Sequence, residues 1–183
     1  SSFLLILTLA GSVWSQARVC NVSSVPLNAR AEGLTEATGD ILLACSGGAL
    51  VPAGQALPVF NVQVTIPATL GNRVVLGQYT DVLLLVGEPG SGNQFPCTND
   101  PCPAFAGNSL GADFGQNRNV FQGRINGSNG VLFQVPLQGG PQTLRIVNLR
   151  AVATQLPNQP LTATVAMGGA EAVTLTNSTV RVA

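Results

Sequence analysis

The sequence predicts an all-β chain folded as an antiparallel β-sandwich, with Greek-key, jelly-roll or Ig-like connections and disulfide staples. Three observations predict it. Apolar and polar residues alternate with period two over several runs, as strands with one buried face require. Clusters of Gly, Pro and Asn separate nearly all of these runs, and almost no stretch shows a capped helical period. Four Cys follow a short apolar leader, which is the arrangement of a disulfide framework made in an oxidising compartment.

In chain order, the leader comes first. Residues 3–13, FLLILTLAGSV, are too short for a membrane span, which needs ~20 apolar residues. The following Trp14-Ser15-Gln16-Ala17 places small residues where a signal peptidase reads. Residues 1–17 are therefore expected to be a signal peptide cleaved after Ala17, incomplete at its start because no Met or basic segment precedes the run. A buried strand or helix of the domain, a retained anchor, or a strand donated to a neighbour are the alternatives. Residues 18–183 are then expected to form a single sandwich domain. Residues 179–183 read either as a strand cut off, with a further domain to follow, or as one ending flush.

The strands follow. Cys20 lies on an N-terminal strand, and residues 41–44 and 82–86 are apolar throughout, suiting strands buried on both faces or the middle of a sandwich. Residues 59–66 place Phe60, Val62, Val64 and Ile66 on one face, with Asn61, Gln63 and Thr65 on the other. Residues 119–125 and 131–137 flank Asn126-Gly127-Ser128-Asn129-Gly130 and read as the clearest hairpin. Residues 143–153, 161–167 and 172–182 complete about nine strands of ordinary length.

One connection is exceptional. The loop at residues 88–118 is longer than sandwich connections usually are, and such loops are functional or disordered. Cys97 and Cys102 bracket the turn formers Thr98, Asn99, Asp100 and Pro101, so a bridge between them closes the loop locally. Cys20 is left for Cys45, a pairing that pins the N-terminal strand to a core strand. Four Cys allow three pairings, and a zinc site is the alternative, although Cys20 and Cys45 have no closely spaced partners. The same loop carries Phe95, Phe105 and Phe114, which either plug the mouth of the sandwich, the preferred reading, or present an apolar interaction patch.

The composition excludes more chemistry than it suggests. The chain lacks His and Lys, and its eight cations are all Arg. That removes Ser-His and Cys-His nucleophile pairs, imidazole metal ligands, Schiff bases and the phosphate-binding Lys of a P-loop. A net charge of +0 offers no electrostatic footprint for nucleic acid. Glu32, Glu36 and Asp40 are the only close carboxylates, and their Gly- and Thr-rich setting reads as a solvated connection rather than a glycosidase pair. Calcium at Asp100 and Asp113 lacks the usual loop motif. Sequons occur at Asn21, Asn126 and Asn177, a pattern frequent by chance. Arg145 and Arg150 either pair with loop carboxylates or snorkel from a strand. No catalytic residue, cofactor or metal is expected.

The runs AEGLTEATGDILLACSGG, NVQVTI, VLLLVGEPGSGNQFPC, NVFQGRI and LRIVNLRAVA resemble an uncharacterised group of secreted β-sandwich proteins abundant in soil acidobacteria. The resemblance covers most of residues 18–183. It implies an exported module, often preceding further Ig-like domains, with no catalytic residues to carry over. The expectation is a non-catalytic structural or interaction module, secreted or at the cell surface, whose partners are proteins through self-assembly or other extracellular domains. Binding of a glycan or another polymer through the long loop, or through a polar sheet face rich in Gln, Asn and Thr, is the alternative.

Overall fold

The computed structural model describes residues 16–30, 32–75, 77–97, 101–108, 117–156 and 160–183. Most of the expected signal segment, Asp100, Asp113 and Phe114 lie outside the described residues. The chain is all-β. Its strands are β1 (Arg18–Ser24), β2 (Thr35–Ala37), β3 (Ile41–Ser46), β4 (Val59–Thr65), β5 (Val74–Val75), β6 (Tyr79–Val86) and β7 (Val120–Ile125). They continue with β8 (Gly130–Pro136), β9 (Gln142–Val147), β10 (Arg150–Val152), β11 (Thr162–Gly169), β12 (Val173–Thr176) and β13 (Thr179–Arg181).

One large sheet runs in the order β12-β1-β3-β9-β6-β7-β8-β4-β11-β13, with β5 on β6, while β2 and β10 form a small second sheet. Pairing is antiparallel except between β1 and β12. The sandwich-like shape comes from curling at β7. That strand pairs with β6 at Val120 to Gln122 and, past a register shift, again at Arg124, but with β8 only at Arg124 and Ile125. Beyond those two rungs the hairpin arms part, and the Phe133 ring fills the opening so closely that a Cβ on Gly123 would lie 3.0 Å from it. The turn expected there is present, with Asn126 N–H donating to Gly130 O at 2.9 Å.

The core sits between the two halves of the curled sheet. One half contributes Val22, Ile41, Leu43, Leu84, Leu144 and Ile146, and the other Phe60, Val62, Val64, Phe133, Val135, Ala163 and Val165, all at most 2% exposed. Period-two alternation in the sequence thus translates directly into burial. Fully burying each large aliphatic or Phe side chain stabilises by roughly 1.5–3 kcal/mol.

Two expectations are corrected. The apolar runs at residues 41–44 and 82–86 are not buried on both faces, since Leu42, Leu83 and Leu85 are half-buried and Ala44 is exposed on the outer surface. The runs at residues 143–153 and 172–182 are each two strands. Asn148 (φ 63) and Asn177 (φ 56) take the left-handed conformation that Asn tolerates, and each turns the chain onto a new partner. As a result β12 joins β1 and β13 joins β11, so the C-terminal pair spans the seam between the two ends of the curled sheet. Val182 O accepts hydrogen bonds from Leu27 and Gly39 there.

Both expected disulfides are formed, Cys20–Cys45 and Cys97–Cys102, leaving no free cysteine. Two closed disulfides fit a non-cytoplasmic, oxidising compartment. Among the described residues no helix is long and apolar enough to cross a membrane.

Candidate functional site

The strand directions gather residues 47–58, the long loop, residues 137–141 and residues 170–172 at one end of the sandwich. A buried arginine organises this end. Arg18 is 0% exposed, donates Nε to Glu171 Oε1 at 3.0 Å and Nη2 to Gln138 O at 3.0 Å, and stacks 4.8 Å above the Phe60 ring. The second Glu171 oxygen accepts the Ala49 N–H at 3.0 Å. One ion pair therefore ties the start of β1 to three loops. Gly48 crosses above it at φ +85, and a Cβ there would lie 2.6 Å from both Arg18 Nη2 and Glu171 Oε1.

Two buried asparagines then shape the long loop. Asn119, 1% exposed, accepts the Phe95 N–H at 2.7 Å and donates to Asn93 O at 2.8 Å, while Cys97 N–H donates to Val120 O at 2.8 Å. The chain around Phe95 thereby runs as an irregular parallel neighbour of β7, with a bridge at Pro96 and Val120. Asn117, 7% exposed, clamps Phe105 from both sides, accepting its N–H and donating to its carbonyl at 2.9 Å each. Residues 104–106 also pair antiparallel with residues 54–57, through Leu57 N–H to Ala104 O and Ala106 N–H to Gln55 O, both 2.8 Å. The Cys97–Cys102 bridge joins the two anchored segments.

This clamping decides what the phenylalanines do. Cys102, Ala104 and Ala106 are buried while Pro101, Pro103, Phe105 and Gly107 are exposed, a strand-like alternation imposed by the pairing. Phe105 faces outward at 40% exposure and is not a plug, whereas Phe95 is half-buried. In residues 47–58, part of which pairs with the Phe105 segment, Leu50 is 76% exposed, and Pro52, Ala53 and Ala56 are also exposed. No charged residue occurs in residues 47–58 or 101–108. The result, in these two described segments, is an apolar surface held by backbone pairing, two amide clamps and a disulfide. Asn117 and Asn119 escaped the sequence reading because an Asn flanking a strand looks like an ordinary turn residue.

The other candidates are dispersed. Glu36 lies on β2 opposite Ala151 and Glu32 is exposed in the preceding loop, while Asp40 turns to Arg145 at 3.5 Å. Arg145 also binds Glu88 at 2.5 Å, and Arg150 donates to Asn148 Oδ1 at 3.2 Å. Among the described residues no three His, Cys, Asp or Glu side chains are grouped to hold a metal. Two sequons meet, since Asn177 Nδ2 donates to Asn21 Oδ1 at 3.3 Å. Two shallow grooves mark the outer face of the first half-sheet. One of about 510 Å³ lies between Val25, Leu27, Leu42 and Arg145, and one of about 470 Å³ lies between Leu83, Pro96 and Gln122. No protein-family model and no curated protein matches this chain.

Proposed function

We propose that the chain is a non-catalytic extracellular structural or interaction module that contacts a protein, either another copy or a neighbouring extracellular domain, through its apolar tip. The observation that carries this reading is Phe105, held outward by Asn117 at 40% exposure within residues 101–108, which carry no charged side chain. An aromatic anchor on a rigid support is how interfaces concentrate binding energy, because little side-chain or loop entropy is lost on docking. Side-chain docking is favoured over strand addition, since β12 and β13 at the ends of the sheet order are only four and three residues long. The resemblance to exported modules and the two disulfides support secretion.

Size-exclusion light scattering with negative-stain electron microscopy on the oxidised protein tests it. Concentration-dependent oligomers or filaments are expected, dissolved by Phe105→Asp and Leu50→Asp with the melting temperature unchanged. A clean monomer that also captures no extracellular domain, or oligomers indifferent to both substitutions, overturns the tip as the contact. A second reading, binding of a glycan or similar polymer, is favoured by one observation: the outer face of β4, β8 and β11 carries Asn61, Gln63, Thr65, Gln134 and Thr164, with Leu132 and Ala166 flanking Gln63.

A further inference from the structure

Two glycines after β3 are shaped around the residues just ahead of β1. Gly48 N–H donates to Gln16 O at 2.8 Å. Gly47 sits at φ +74, and a Cβ there would lie 2.5 Å from Ala17 O. Its carbonyl in turn accepts the Gly140 N–H at 2.8 Å, which ties the same turn to a third segment. Residues 16 and 17 are thus fitted into the loop after β3, and a left-handed glycine makes the room for them. Without them the Gly48 N–H would lose its acceptor.

Charge points the same way. Arg18 is 0% exposed and pairs with Glu171, and among the described residues its Nη1 has no hydrogen-bond partner. A chain starting at Arg18 would add an α-ammonium to that same residue, a second positive charge beside a guanidinium already short of acceptors. A chain starting at Gln16 keeps the Arg18 nitrogen an amide. In the sequence Ser15 is a small residue at a cleavage position, as Ala17 is, with Val13 two residues before it. Gln16 itself is exposed.

From these observations we infer that the leader ends at Ser15 and that Gln16, as the first residue of the exported chain, closes to pyroglutamate. The α-amine of Gln16 attacks its own side-chain Cδ. A C–N bond forms there and closes a lactam, the bond from Cδ to Nε2 breaks, and ammonia leaves carrying the proton that the amine gives up. No oxidant or co-reactant enters. The Gln16 carbonyl that Gly48 holds takes no part, so the lactam keeps that contact. Cyclisation removes the positive charge of the terminus. The assignment moves the cleavage from Ala17 to Ser15 and rests on export of the chain.

Intact-mass and N-terminal peptide mass spectrometry of the exported protein test it. A chain of residues 16–183 is expected, lighter by about 17 Da for the ammonia lost. Ala17→Leu, which spoils cleavage after residue 17, leaves the start and the mass deficit in place, whereas Gln16→Asn keeps the start and loses the deficit. A chain starting at Arg18, a Gln16 with an open amine, or failed processing of Ala17→Leu overturns the assignment. Retention of the residues up to Ser15 overturns export as well, so the two failures are told apart.

Discussion

The two disulfides of this chain hold regions built on different principles. Cys20 and Cys45 are directly opposed residues of β1 and β3, and both point into the core. Every neighbour of that bridge is already placed by sheet pairing and apolar burial. Cys97 and Cys102 join two segments of an irregular loop, whose shape depends on Asn117, Asn119 and a few backbone bonds. The framework would keep its topology without its bridge, whereas the tip has little apolar burial of its own to fall back on. Where a core cannot be built, buried amides and a local cross-link substitute for it, and they leave the apolar side chains free to face outward.

The largest expected effect separates the two bridges in global stability. Their sequence separations are 25 and 5 residues. Loop-closure entropy then assigns about 3.5 kcal/mol to Cys20–Cys45 and about 2 kcal/mol to Cys97–Cys102. Chemical denaturation of Cys20→Ala/Cys45→Ala and Cys97→Ser/Cys102→Ser is expected to show that order, and the reverse order would mean that the loop is part of the framework. Next comes the pin between the regions. Glu171→Ala leaves the Arg18 guanidinium buried without its counter-ion and is expected to cost about 2–3 kcal/mol, short of the value for a wholly buried pair because Glu171 keeps 22% exposure. A variant as stable as wild type would show that Arg18 finds another acceptor.

The smallest global effect should come from the amide clamp. Asn119→Ala is expected to lose about 1 kcal/mol in denaturation, yet to lose protection at Phe95 and Cys97 in hydrogen exchange while β3 and β9 stay protected. Uniform loss of protection would dissolve the distinction between tip and framework.

The residues that read clearly from sequence are those whose local pattern and tertiary role coincide. Phe60, Val62, Val64 and Ile66 alternate in sequence and are buried in the structure, and the turn formers between Cys97 and Cys102 rank the observed Cys pairing first of three. Residues 82–86 misled for the same reason. A run of five apolar residues signals burial on both faces, but the outer face of β6 is only partly covered, so Leu83 and Leu85 remain half-exposed. Phe105 misled in the opposite sense. Whether it plugs or projects depends on the parity of residues 104–106 against residues 54–57, a register shift of one residue, which no local signal encodes.

Sequence alone therefore determined the all-β class, the faces of the alternating strands and the absence of Lys and His, and ranked the disulfide pairings, because period-two patterning, turn chemistry and residue inventory are local properties. Only the tertiary structure decided that one curled sheet makes both halves of the sandwich and that Arg18 is buried against Glu171 and Phe60. It alone turned Phe105 outward and laid Gln16 and Ala17 against Gly47 and Gly48. Each of these depends on which distant strands become neighbours, and that choice is made by the packing of the whole core.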